Sequence, residues 1–103
     1  MSIHIIFEND NAADNREYFM RGYRDDIIVE IKEKRYRIYA TNISGLQKDF
    51  ELDKKCYGYY RSEPNTILVE EATKEEIVHT IYCLHERKYF ERLERRGFDG
   101  TNQ

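Results

Sequence analysis

Residues 26 to 41 (Asp-Ile-Ile-Val-Glu-Ile-Lys-Glu-Lys-Arg-Tyr-Arg-Ile-Tyr-Ala-Thr) constrain the fold of this chain more tightly than any other stretch. Ile27, Val29 and Ile31 occupy one face of an extended segment, and Tyr36, Ile38 and Ala40 one face of the next. A tight turn about Glu33-Lys34 sets residue 31 opposite 36, 29 opposite 38 and 27 opposite 40. Both apolar rows then fall on the same side of an antiparallel hairpin. The opposite side carries Glu30, Lys32, Arg35 and Arg37, a solvated face whose cross-strand charge pairs contribute about 0.2–1 kcal/mol each. The turn has neither Asn-Gly nor Gly-Gly, which leaves its type open.

The flanking segments supply the rest of an α+β fold. Ile3, Ile5 and Phe7 alternate with His4 and Ile6 and predict a first strand. Asn15 is placed to cap a helical turn over Arg16 to Tyr23, with an ordered loop as the alternative. Ser44 is a candidate cap for a short helix over 45–54, in which Leu46 and Phe50 form an i, i+4 apolar pair. Cys56 to Asn65, broken by Gly58 and Pro64, reads as irregular or as a short extended piece. Thr66 to Glu70 is apolar on both faces through Ile67, Leu68 and Val69 and predicts an interior strand.

Thr73-Lys74-Glu75-Glu76 has the form of a capping box, with the Thr73 hydroxyl accepting from a first-turn amide and Glu76 reaching back to the cap amide. Ile77, Val78, Ile81, Tyr82 and Leu84 follow at helical spacing, and Tyr89, Phe90 and Leu93 extend the stripe. One helix from 74 to about 87, continued or bent through 96, is expected to cover one face of the sheet. Gly97 is a stop and 98–103 a frayed tail. The expected architecture is a mostly antiparallel sheet of about four strands, packed against a long C-terminal helix plus one or two short helices, in one domain over 1–97.

Composition narrows the function. The chain has 103 residues, too few for two independent cores, and its nine Tyr and five Phe argue against disorder despite 36% charged residues. Acidic residues outnumber basic by 20 to 17, which disfavours general nucleic-acid binding and suits a basic partner surface. No apolar run exceeds four residues, against about 20 for a membrane span, and no basic region precedes Ile3 to Phe7. A cytoplasmic chain with no membrane partner is expected, with Cys56 and Cys83 as reduced thiols.

No catalytic, cofactor or metal site is expected. His79 and His85 are about 240° apart on a helix, and Cys83 and His85, at i and i+2, do not face each other. Asp25-Asp26, Glu70-Glu71 and Glu75-Glu76 are adjacent acids that diverge, and they serve capping and solubility. There is no GxSxG, P-loop or GxGxxG.

Two surfaces remain as candidates for contact. The basic segment Arg87-Lys88-Tyr89-Phe90-Glu91-Arg92-Leu93-Glu94-Arg95-Arg96 offers cations for phosphate and aromatics for bases, the basis of an alternative reading as a small RNA-binding or regulatory module. Its rings also fit the buried stripe, and Glu91 and Glu94 can pair with Arg95 and neighbouring cations. Asp49, Glu51 and Asp53, running into Tyr57, Tyr59, Tyr60 and Glu63, suit recognition of a cationic protein patch.

From Asp26 through Leu93 the layout resembles small cytoplasmic immunity proteins of bacterial toxin systems, including contact-dependent growth inhibition. The resemblance rests on the hairpin, Ile43-x-x-Leu46-Gln47-x-x-Phe50, Tyr57-Gly58-Tyr59-Tyr60 with Glu63-Pro64-Asn65, the strand Thr66-Ile67-Leu68-Val69, and Lys88-Tyr89-Phe90. It covers about two thirds of the chain and is one of order and flavour, without a catalytic signature. It implies a toxin inhibitor that binds and occludes a cognate toxin domain, typically a nuclease with a basic cleft. On that reading Asp49, Glu51, Asp53, Tyr57, Tyr59, Tyr60 and Glu63 contact the partner, and no nucleic acid is bound directly.

Overall fold

The structure, a computed structural model, describes residues 3–61 and 63–95. Strand β1 (Ile3–Phe7) leads through helix α1 (Ala12–Arg21) into the hairpin β2 (Tyr23–Ile31) and β3 (Lys34–Thr41). Helix α2 (Ile43–Tyr57), strand β4 (Thr66–Leu68) and helices α3 (Lys74–Glu86) and α4 (Tyr89–Arg95) follow. The sheet order is β1-β2-β3-β4, with β1, β2 and β3 antiparallel and β4 parallel to β3. The fold is therefore α+β with a mixed four-stranded sheet. The expected tail at 98–103 and the stop at Gly97 lie outside the described residues.

The hairpin keeps its expected faces but closes one step tighter. Ile31 pairs with Lys34, Val29 with Tyr36 and Ile27 with Ile38, two residues from the register inferred above. The loop is only Lys32-Glu33, made possible by Lys32 at φ 58°. A shift of two preserves the pleat, so both apolar rows still share a face. At the far end a bulge sets Asp25 and Asp26 opposite Tyr39, between the pairs Arg24–Ala40 and Ile27–Ile38.

Ile27, Val29, Ile31, Tyr36, Ile38, Ala40, Ile67 and Val69 form the sheet side of the core, and Ile77, Ile81, Phe90 and Leu93 the helical side. The other sheet face is not wholly solvated as expected: Ile28 is buried between Ile6 and Arg37, whose guanidinium donates to Glu8.

The C-terminal cover is two helices rather than one. On a straight helix Phe90 would lie about 180° from Ile81, at about 100° per residue, and would face water. The break at Arg87-Lys88, with Lys88 at φ 65°, turns Phe90 and Leu93 back onto the sheet. The Thr73 hydroxyl caps α3 as expected, accepting from the Glu76 amide at 3.3 Å. The Glu76 carboxylate accepts instead from the amides of Glu70 and Glu71, at 2.6 and 3.2 Å, and braces the preceding loop.

Strand β4 lies at the sheet edge, which corrects its expected interior place: Leu68 projects into solvent with 53% of its surface exposed. Its parallel pairing requires a crossover, and α2 provides it. The caps of α1 and α2 are Asn11 and Asn42 rather than Asn15 and Ser44, and α2 runs on to Tyr57, past the expected end at 54. Asn15 instead accepts from the Arg24 guanidinium at 2.8 Å.

Candidate functional site

Helix α2 is held at two points and is otherwise open. Of its fifteen residues only Gly45 is buried. The Asn42 side chain accepts from the Gly45 amide at 2.8 Å, while the Asn42 amide donates to the Gly22 carbonyl at 2.7 Å. A Cβ at position 45 would stand 2.8 Å from that carbonyl oxygen and 2.7 Å from Thr41 Oγ1, so only glycine lets the helix approach this closely. The second tie is Tyr39, which alternates with the core residues Ile38 and Ala40 and therefore points to the opposite sheet face. Its hydroxyl donates to Asp49 at 3.0 Å. Gly58, at φ 83°, ends the helix by donating to the Lys54 carbonyl.

Beyond these ties the helix presents apolar groups to solvent: Ile43, Phe50, Leu52 and Tyr57 are exposed, as is Tyr59 just after it. Asp49 and Asp53, one turn apart, join Tyr39, Tyr60, Arg61, Glu63, Asn65 and Thr66 around an open cavity of about 340 Å³. The floor is fixed by the Asn65 side chain donating to the Arg37 carbonyl at 2.7 Å and by the Tyr39 amide donating to the Asn65 carbonyl at 3.1 Å. Tyr60 packs edge-on against Phe50 with ring centroids 5.7 Å apart. Tyr57 and Tyr59, at the end of α2, pair with ring centroids 6.5 Å apart.

The cavity is electronegative. Burial, followed by the charges of Asp49, Asp53 and Glu63, pushes the Tyr60 phenol above its ordinary value. Burial and the bond to Asp49 hold Tyr39 well above it. Among the described residues no ion pair involves Asp49, Asp53 or Glu63, a condition they share with Asp14, Asp25, Glu33, Glu51, Glu70, Glu71, Glu75, Glu76 and Glu86.

Of the expected contact residues, Asp49, Asp53, Tyr60 and Glu63 line the cavity, whereas Tyr57 and Tyr59 are outside its lining and exposed at the end of α2. Glu51 does not line it either. Two positions from each aspartate it turns to the far side of α2, where it accepts from Gln47 at 3.2 Å. Tyr39 was missed, although its alternation with Ile38 and Ala40 marks it as facing away from the core.

The basic segment is differently disposed. Phe90 is buried, and the Tyr89 hydroxyl donates to the Pro64 carbonyl at 2.9 Å, so both rings serve the fold. Glu94 accepts from Lys34 and Tyr36, and Glu91 lies 3.9 Å from Lys88. The side chain of Arg95 and all of Arg96 lie outside the described residues. Among the described residues no group of three or more His, Cys, Asp or Glu is arranged to hold a metal, and no helix is long and apolar enough to cross a membrane. No protein-family model, curated protein or solved structure matches the chain.

Proposed function

We propose that the chain is a toxin-neutralising immunity protein whose α2 surface, continued through Tyr59, Tyr60 and Glu63, covers a basic cleft on a toxin domain. The observation that carries the binding role is α2 itself, a fifteen-residue helix that buries only Gly45 and presents Phe50 and Tyr57 beside carboxylates that have no cationic partner among the described residues. Contiguous exposed aromatics rimmed by charge are the signature of a protein contact surface. Rigid aromatic anchors supply affinity, and the rim acids speed encounter with a cationic patch. The choice of a toxin as partner rests on the resemblance in element order, and the acidic cavity supports it by standing in for the phosphates a nuclease cleft would attract.

The test is to search the adjacent genes for a toxin domain and, with the domain found, to measure growth rescue on co-expression and binding kinetics at several salt concentrations; adjacent genes that encode no toxin domain would count against the assignment. Protection of the host and a 1:1 complex are expected. Joint reversal of Asp49, Asp53 and Glu63 to lysine should slow association at least about tenfold at low salt and flatten its salt dependence. Glu51→Lys should have little effect, because its side chain points elsewhere. Unchanged association and salt dependence in the triple variant would refute the electrostatic role, and absence of any complex would refute the assignment.

A further inference from the structure

Strand β4 is a sheet edge that borders two open cavities beside α2. Asp49 and Asp53 of α2 and Thr66 of β4 line the acidic one described above. Ile43 of α2 and Leu68 of β4 line the other, of about 490 Å³, which Glu70 and Glu71 rim. Thr66 and Leu68 alternate with the core residue Ile67 and so share the sheet face on which α2 lies. Ile43 and Leu68 are 69% and 53% exposed. Among the described residues five carboxylates line the two cavities against one cation, Arg61, and none of the five is in an ion pair. The backbone along this edge is open as well. The Tyr39 amide donates to the Asn65 carbonyl and the Val69 amide to the Thr41 carbonyl, so residues 65, 67 and 69 turn their backbone groups to β3. Those of Thr66 and Leu68 turn outward. The Thr66 amide is taken by the Glu63 carbonyl at 3.1 Å, but the Leu68 N–H and C=O have no partner among the described residues.

We propose that the partner contributes an extended basic segment that adds to the β4 edge at Leu68, an inference that rests on the α2 surface being the contact surface. The Leu68 N–H and C=O supply the strand pairing, and the side chains alternate as in any added strand. An apolar side chain of the segment lies on Leu68 and Ile43, and a cationic one on the same face enters the cavity of Asp49 and Asp53. From Ile43 to Asp53 helix α2 rises about 15 Å, which about five extended residues span. The segment therefore carries its cation two or four positions from the apolar residue. A second cation on the other side meets Glu70 and Glu71. The carboxylates select a basic strand over the other extended segments that a bare edge would accept.

The probe is a capped seven-residue peptide with leucine at its centre, lysine two positions to either side and threonine elsewhere, a pattern that reads the same in both directions. It is titrated into the isotope-labelled full chain and followed by nuclear magnetic resonance. Expected are shifts at Ile43, Asp49, Asp53, Thr66 and Leu68, with slowed hydrogen exchange of the Leu68 amide. Replacing both lysines by glutamate should weaken binding at least about tenfold. N-methylation of the central leucine should abolish binding if the strands run antiparallel, and N-methylation of the next residue if they run parallel. Leu68→Pro, which removes an amide that bonds nothing in the fold, should lose the peptide while circular dichroism stays native. Shifts confined to other surfaces, full binding by the glutamate peptide, or full binding by both methylated peptides would each overturn the proposal, and the peptide results do not depend on how the variant folds. Peptide binding by a chain that neutralises no toxin would support strand addition and overturn the immunity reading alone. A toxin complex undiminished by Leu68→Pro would overturn strand addition alone.

Discussion

The Tyr39 hydroxyl on β3 donates to the Asp49 carboxylate on α2 at 3.0 Å, and this bond sets the crossover helix against the sheet face opposite the core. Burial first, and the bond to Asp49 second, hold the Tyr39 phenol well above its ordinary value. The folded state therefore keeps a proton that the unfolded chain loses near pH 10. Stability from this group is fully present below about pH 10 and falls as pH rises beyond it toward the folded value. Ultraviolet titration should show Tyr39 ionising only at the end of the tyrosine transition or together with unfolding. Asp49→Asn should lower that point only in part, because burial remains. A Tyr39→Phe protein whose titration curve loses an early-ionising phenol would contradict this placement.

Gly22 and Gly58 have nearly the same backbone geometry, at φ 85° and 83°, yet different surroundings. A Cβ at Gly22 would meet Asn42 Oδ1 at 2.5 Å, in the junction that anchors α2, while one at Gly58 meets nothing within 4 Å. Alanine at either position carries the left-handed penalty of about 1–2 kcal/mol. Only Gly22→Ala adds the cost of displacing the cap, about 1–3 kcal/mol more. Urea denaturation should rank Gly22→Ala clearly below Gly58→Ala, and equal midpoints would show that the junction is slack.

The hairpin was legible in sequence because side-chain parity survives a two-residue error in register. Alternation alone placed Val29, Tyr36 and Ile38 in the core even though the turn was misplaced. Turn length was not legible, since a lysine in the left-handed region at position 32 leaves no compositional trace. The same holds for Lys88, whose kink divides the expected long helix. Three apolar residues at 67–69 did not distinguish an edge strand from an interior one. The long connection from Thr41 to Thr66, with a helical pattern inside it, was the available cue to parallel pairing. Within the site, the i, i+4 spacing of Asp49 and Asp53 was readable. Helical rotation within the expected helix over 45–54 already turns Glu51 away from them, although proximity in sequence groups it with the two aspartates.

The bulge opposite Tyr39 has an energetic consequence. It puts Arg24, which simple alternation would turn outward, beside Ala40 on the core side. There the guanidinium bonds Asp26 through two nitrogens, at 2.7 and 3.0 Å, and lies over the rings of Phe7 and Tyr18. Asp26 also accepts from the Asn9 amide at 2.8 Å, fixing the entry to α1. Both charged residues are at most 2% exposed, so removing one strands the other. Arg24→Met and Asp26→Asn should each cost about 3–5 kcal/mol in denaturant unfolding. The double variant Arg24→Met/Asp26→Leu should cost less than the sum of the corresponding single changes, and strict additivity would show that the pair is not coupled.

Tyr57 and Tyr59 separate binding from folding most cleanly. They are 69% and 65% exposed and contact each other at 6.5 Å. Truncating either removes little buried area, so Tyr57→Ala and Tyr59→Ala should shift unfolding free energy by no more than about 0.5 kcal/mol. If the α2 surface docks on a partner, these rings become buried anchors, and each truncation should weaken the complex by about 1–2 kcal/mol or more, chiefly through faster dissociation. Phe50→Ala is the contrasting case. Its ring packs against Tyr60, so it should loosen the cavity wall and reduce both stability and affinity. Calorimetry of each variant, alone and with the proposed partner domain, distinguishes the two effects. Full affinity in the Tyr57→Ala/Tyr59→Ala protein would move the contact surface away from the end of α2.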